Sequence, residues 1–478
     1  MSQNSTLRHH TLSEIANTVR LKMTPTEKNT LLSFCAAATF AVGSSLVWAT
    51  PTITGIQSPA ITELTQGSTI TITGSGFGSK PQAAPILYDT VDAAYENGVL
   101  NPRHSQLSNG DLILGTNENP DSIWAGPSNT AFGASRVQVT SDRPTRHANS
   151  SEHYYFKGFN GFVGKPVAYG GKSGFDTPVD EPQLYVSWWY KPKYSPSLYW
   201  RIDPLNQEGT FVPGEKLAIN GNSATFIGID DEGMINLAFD NLVNSNNLKG
   251  QLLRGSQSNA TTIFPDIFKG GGDFGYLDPG SQKYLRIRED ANGKIGIALS
   301  WTQMHQSLSG YNTSDVLVNW AKRVLEGDQW HFMEFMIDTD KGTFKINIDA
   351  QPLTSFNFDP KLAFEGEWSP TVALLGLNGK VGHLQESDFD DIYIDNSFQR
   401  VIIADSKNIQ EAGYTEVQYP TSWSDTAINF QLNKGSLPEA QEIYVFVSNR
   451  DGDFNLEGYP LLCQDCSSPP ARIEINVD

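Results

Sequence analysis

Trp330-His331-Phe332-Met333-Glu334-Phe335-Met336-Ile337-Asp338 runs through Asp340-Lys341-Gly342 into Thr343-Phe344-Lys345-Ile346-Asn347-Ile348-Asp349. The two runs are rich in aromatic and β-branched residues, and Asp-Lys-Gly joins them as a hairpin turn because glycine supplies a positive φ at little cost. Upstream, Leu184-Tyr185-Val186-Ser187-Trp188-Trp189-Tyr190 reads as a strand with Leu184, Val186, Trp188 and Tyr190 on one face and Tyr185 and Trp189 on the other. Downstream come Val372 to Leu377 and Phe389-Asp390-Asp391-Ile392-Tyr393-Ile394-Asp395. With 42 Gly and 26 Pro among 478 residues and few helix-forming stretches, the chain reads as all-β, with enough apolar material for two or three domains.

This order of strands resembles the concanavalin A-like jelly roll shared by legume-type lectins, laminin G modules and several glycan-cleaving families. The resemblance covers some 83–397 and implies a fold more than an activity, because that fold hosts many functions. A second resemblance lies before it. Residues 51–78, PTITGIQSPAITELTQGSTITITGSGFG, alternate with period two over Thr69-Ile70-Thr71-Ile72-Thr73 and stop at Gly74-Ser75-Gly76. They resemble the opening of an IPT/TIG domain, a small immunoglobulin-like β-sandwich. Its remaining strands are not next in the chain. Matching sequence follows some 320 residues later, at Arg400-Val401-Ile402-Ile403, Trp423 to Phe430 and Ile443 to Val447. The expected organisation is a concanavalin A-like jelly-roll sandwich, 83–397, inserted in or flanked by an IPT/TIG-like sandwich made of 50–82 plus 398–462, with a tail at 463–478.

Charge and the N-terminus limit the setting. With 34 Lys+Arg against 53 Asp+Glu the net charge is −19, spread along the chain, so no broad basic surface exists to neutralise phosphates and nucleic acid is excluded as a partner. Leu31 to Trp48 is an apolar run preceded by Lys28 and closed by Val47-Trp48-Ala49, which reads as a secretory signal peptide over 1–49 with a long leading region. An uncleaved anchor is the alternative, since the run is near the lower length limit for a membrane span. Beyond that segment no membrane contact is expected. Export fits the cysteines: after Cys35 only Cys463 and Cys466 remain, as a small-loop disulfide or two inert thiols.

The residues that could carry chemistry cluster in two neighbouring strands. In Lys283-Tyr284-Leu285-Arg286-Ile287-Arg288-Glu289, alternation puts Tyr284, Arg286 and Arg288 on one face. Arginines pair bidentately with carboxylate or sulfate, so this face suits an acidic sugar. In Ile295 to His305, Trp301, Gln303 and His305 share a face, with Trp301 as a stacking platform and Gln-x-His as a neutral donor beside a titratable base. These runs resemble the jelly-roll alginate lyases. On that resemblance Gln303 with Arg286 or Arg288 would neutralise a uronate carboxylate, His305 would abstract the C5 proton, and Tyr284 would assist. This chain departs from the family order in placing Glu289 outside an Arg-x-Glu-x-Arg run and Tyr155-Phe156-Lys157-Gly158-Phe159 ahead of Gln-x-His. Trp189 is a further candidate for ligand contact, as aromatics enrich recognition surfaces.

Other chemistries find little support. The Glu-x-Asp-x-x-Glu run of jelly-roll glucanases is missing, as are a nucleophile elbow and a His-x-x-x-His pair. No cofactor is required. Calcium is the metal that best fits an exported acidic β-protein, with Asp388, Asp390 and Asp391 as one ligand set and Asp451, Asp453, Asn455 and Glu457 of DGDFNLEG as a second that also reads as an ordinary turn. The expected function is binding of a polysaccharide or cell-surface glycan through the concave sheet. A polysaccharide lyase acting on a uronic-acid polymer is the first alternative, and a non-catalytic structural or adhesive surface protein the second.

Overall fold

A computed structural model describes residues 49–57, 65–113, 122–125, 137–158, 161–169, 182–265, 283–291, 294–303, 305–309, 316–319, 323–359, 372–378, 384–437 and 442–462. The apolar run at Leu31 to Trp48 and the cysteines Cys463 and Cys466 lie outside these residues. Within them the chain is all-β, a jelly-roll sandwich set among the strands of an immunoglobulin-like sandwich. No helix among the described residues is long and apolar enough to cross a membrane.

One side of the jelly roll is a ten-stranded sheet. Its centre is the strand Gln183–Pro192, paired antiparallel with His331–Asp338 on one side and Glu386–Asp395 on the other. The hairpin through Lys341 continues it to Thr343–Ile348 and Gln351–Asn357. Facing it is a seven-stranded sheet built around Lys283–Ala291, Lys294–Thr302 and Val372–Asn378. Between the sheets lies the largest core, where Leu184, Val186, Trp188 and Tyr190 meet Leu285, Ile287, Leu299 and Trp301. All are buried, so the period-two reading of Leu184 to Tyr190 corresponds to a real inner face.

The second sandwich joins chain ends that are distant in sequence. Thr69–Ser75 lies between Thr52–Gln57 and Ala427–Gln431, in the register Ile70 opposite Phe430 and Ile72 opposite Ile428. Ile70 and Ile72 are fully buried, while Thr71 donates to Asn429 Oδ1 at 2.7 Å on the other face. The opposing sheet orders Thr415–Val417, Val401–Ala404, Ile443–Val447 and Tyr459–Leu462, and contributes Val401, Ile403, Val445 and Val447 to the shared core.

Part of the outer face of the ten-stranded sheet is covered by the second sandwich. Tyr185, Trp189, Phe332 and Met336 pack against Ile402, Val417 and Phe446 of the second sandwich. Three buried ion pairs tie the two together: Lys80 to Asp395 at 2.6 Å, Arg400 to Glu334 at 3.3 Å, and Arg146 to Glu416 at 2.5 Å. Glu334, the glutamate of the Trp-His-x-x-Glu run, also accepts the Tyr185 hydroxyl at 2.8 Å, so its role is to hold this interface. Gly435 reaches it with φ +50°, and a Cβ there would stand 1.9 Å from Glu416 Cδ. Gly435→Ala is therefore expected to lower the unfolding free energy by about 2 to 3 kcal/mol, measured as a fall in the denaturation midpoint.

A third unit had no separate signal in the sequence. Residues 199–263 form their own seven-stranded sheet, from Tyr199–Ile202 to Thr261–Ile263, over a core of Trp200, Phe226, Leu237 and Leu253. Its Asp230–Gly233 turn is closed by the Gly233 N–H donating to the Asp230 carbonyl at 2.9 Å, and Arg201 binds Asp230 at 2.5 Å.

Candidate functional site

The strand Lys283–Ala291 carries a β-bulge between Lys283 and Leu285 against both of its neighbours. An inserted residue breaks the two-residue alternation, and this decides where each candidate goes. Leu285 and Ile287 face the core as alternation requires, but Tyr284 joins them there, 5.5 Å from the Tyr190 ring and 5.6 Å from Trp301. Trp301, opposite Leu285, is 1% exposed and packs edge-on against Trp188 at 5.6 Å. Tyr284 and Trp301 are thus core residues, not an exposed hydroxyl and a sugar platform. Burial pushes the Tyr284 hydroxyl well above its ordinary range, and its place in the core keeps it from a substrate. Trp301→Ala is expected to cost about 3 to 5 kcal/mol of stability, read from a denaturation curve.

What stays on the outer face is cationic. Trp301 points inward, so Thr302 and Ser300 point outward; Lys283 pairs with Thr302 and Arg286 with Ser300, which places both cations on that face. Burial, and then the Arg286 charge, bring the Lys283 ammonium down to about 8. His305 is half-buried, and burial followed by the Lys283 charge holds its imidazole below the ordinary histidine value. The strand ends at Thr302, whose hydroxyl accepts the His305 N–H at 3.0 Å and lies 3.2 Å from Nδ1. The chain turns there, so alternation does not extend to Gln303 and His305. Gln303 is buried, and among the described residues neither its amide nitrogen nor its oxygen has a hydrogen-bond partner. Arg288 lies opposite Ala298 in the same strand pair, but its side chain is outside the described residues.

Such a face can hold an anion through Lys283 and Arg286 and present a neutral imidazole at neutral pH. It offers a base in His305 and, with Tyr284 sealed in the core, no phenol from Lys283–Ala291 to act as acid.

Trp189 is on the opposite side of the jelly roll. It lines an open cleft of about 780 Å³ together with Trp330, His331, Arg323, Asp349 and Tyr414, a size typical of small-molecule sites. The Arg146 guanidinium covers the Trp189 ring at 4.5 Å. His331 Nδ1 lies 3.0 Å from Asp349, and its Nε2 lies 3.0 Å from the Glu326 carbonyl. Only Trp189 of this cleft was singled out from sequence, because its walls come from segments far apart in the chain.

The three carboxylates proposed as one calcium site do not meet as a set. Asp388 is held by His153 at 3.1 Å, Lys191 at 3.3 Å and Arg143 at 2.9 Å. Burial pushes its carboxyl up, but the His153 hydrogen bond and the neighbouring cations outweigh this and keep it below its ordinary value. Asp391 leaves the alternation, with φ +44° where the sheet slips register between the partners of Ser187 and Trp189. In the second candidate loop, the Asn449 side-chain oxygen accepts the N–H groups of Asp451 and Asp453, and that of Asn455 accepts from Val447. These oxygens close a turn.

Residues 51–104 match the IPT/TIG domain family. The match extends past Thr69–Ser75 to strands 87–89, 94–96 and 99–100, which pair within the ten-stranded sheet. No curated protein matches the chain in sequence. Among solved structures it is similar to Cellulose induced protein, Cip1, at 11% identity and TM-score 0.24 over 56% of this chain and 89% of that one. It is similar to the binding domain of Paraclostridial Mosquitocidal Protein 1 at 10% identity and TM-score 0.24, over 66% of this chain and 57% of that one. It is also similar to the Family 7 alginate lyase A1-II′ at 8% identity and TM-score 0.21, over 54% of this chain and 78% of that one. At such TM-scores the likeness bears on neither activity nor ligand.

Proposed function

We propose that this protein binds an anionic polysaccharide, of the uronic-acid or sulfated class, on the outer face of the seven-stranded sheet. The observation that supports it most is the gathering of Lys283, Arg286 and His305 on one face of a chain whose net charge is −19. Burial and then the Arg286 charge lower the Lys283 ammonium, and an anion bound beside them would favour its charged form. The unpartnered Gln303 carboxamide, in the turn between Thr302 and His305, adds a donor and an acceptor that a sugar hydroxyl or carboxylate can satisfy. The apolar run at Leu31 to Trp48 supports an exported protein that would meet such polymers.

Binding without turnover is favoured over the lyase reading because Tyr284 is buried among Tyr190 and Trp301. The two readings separate in one incubation: a lyase releases unsaturated uronate that absorbs in the ultraviolet, and a binder does not. A purely structural protein would show no affinity for any polymer.

The pH dependence of affinity follows from the same groups. Lys283 is charged below about 8 and loses its proton above that value, so affinity for a polyanion falls as pH rises through this range. Bound polymer favours the charged form and moves the fall upward. On the acid side, His305 gains its proton below the ordinary value of 6.5 and adds a third cation, so affinity rises as pH falls there. Titration of binding against pH checks both limbs, and added salt is expected to weaken binding throughout.

A further inference from the structure

On the far side of the jelly roll, a buried cluster carries more negative charge than its partners balance. His147, Asp390 and Asp391 each offer a ligand atom, and these atoms lie within 4.8 Å of one another. Asp390 is fully buried; its Oδ1 accepts the Asp391 N–H at 2.9 Å, while its Oδ2 has no hydrogen-bond partner among the described residues and lies 3.8 Å from Arg146 Nε. Asp391 is bound by Arg146 and lies 3.6 Å from His147 Nε2. Glu416 takes the other end of the same guanidinium, and its Oε2 is likewise without a partner. Three buried carboxylates therefore face one arginine.

A buried carboxylate oxygen that accepts no hydrogen bond, its nearest cation being Arg146 Nε at 3.8 Å, is disfavoured. A proton or a metal ion would supply further positive charge to the cluster. His147 and Asp391 also border a cavity of about 160 Å³ whose wall includes Asp92, Thr90 and Asn149, which gives the cluster a route to solvent. One imidazole and two carboxylates with room for water is a donor set for Zn²⁺ or Mn²⁺, whereas Ca²⁺ takes oxygen ligands alone.

We propose that His147, Asp390 and Asp391 bind a first-row divalent cation, Zn²⁺ or Mn²⁺, beside the Arg146 ion pairs that join the jelly roll to the second sandwich. The test is calorimetric titration of the chelator-treated full chain with Zn²⁺, Mn²⁺ and Ca²⁺ in turn, repeated with Asp390→Asn and His147→Ala. The expected result is uptake of Zn²⁺ or Mn²⁺ by the unsubstituted chain that weakens tenfold or more in each variant, with a rise in its thermal midpoint on loading. His147 is only partly buried, so its replacement keeps the test open if Asp390→Asn fails to fold. Uptake unchanged in the folded variants overturns the assignment, as does uptake of Ca²⁺ alone. Absence of uptake overturns it too, leaving a proton or a bridging water to balance Asp390.

Discussion

Arg146→Met is expected to lower the unfolding free energy by about 3 to 5 kcal/mol, the range for breaking a buried ion pair by removing one partner. The Arg146 side chain is fully buried and binds Asp391 of the jelly roll and Glu416 of the second sandwich while covering the Trp189 ring. Methionine fills similar space but leaves Asp390, Asp391 and Glu416 facing one another with no guanidinium. Burial and the Asp391 charge already push the Asp390 carboxyl well above its ordinary value, and losing Arg146 extends that burden to its neighbours. Adding Glu416→Gln to Arg146→Met removes one stranded charge, so the double variant is expected to recover part of the loss. Denaturant midpoints of the four forms check this, and additive effects would contradict the shared network.

The second large effect concerns the sandwich built from both ends of the sequence. Phe430→Ala is expected to cost about 3 to 5 kcal/mol and Ile70→Ala about 2 to 5 kcal/mol, since both side chains are fully buried and leave cavities. They are opposite each other across antiparallel strands, so the double variant should cost less than the two single losses together, by about 0.5 to 3 kcal/mol. Additivity within experimental error would mean that these residues, 360 apart in sequence, do not share a core.

How far the sequence revealed the molecule depends on where the period of two held. Thr69 to Thr73 and Leu184 to Tyr190 alternate without interruption, and their inner faces are Ile70 and Ile72 in one core and Leu184, Val186, Trp188 and Tyr190 in the other. The hairpin around Lys341 was marked by its own turn chemistry. Alternation failed at bulges, where one extra residue changes the face that a side chain meets. At Tyr284 the bulge drew a tyrosine into the core, and at Asp391 it took one aspartate out of the alternation that Asp388 and Asp390 keep. At Trp301 the adjoining core decided the face, and the strand end at Thr302 set Gln303 and His305 in a turn. The cation cluster was legible only in part: Arg286 and His305 stood out by spacing, whereas Lys283 was not singled out until the register placed it opposite Thr302. The cleft around Trp189 and the cluster of His147 with Asp390 have no local signal beyond single residues, because each is assembled by contacts across the fold.

The central claim is that Lys283, Arg286 and His305 form an anion-recognising face. It is tested most directly by equilibrium binding of the full chain and of Arg286→Ala to a uronic-acid polymer and to the same polymer with its carboxyl groups reduced. A hydrogen bond between charged partners is worth about 1.5 to 3 kcal/mol, so the acidic polymer should bind the unsubstituted chain at least tenfold more tightly than the variant. The reduced polymer should bind neither form appreciably. Equal affinity of the two forms for the acidic polymer, or equal affinity of the unsubstituted chain for both polymers, would contradict it.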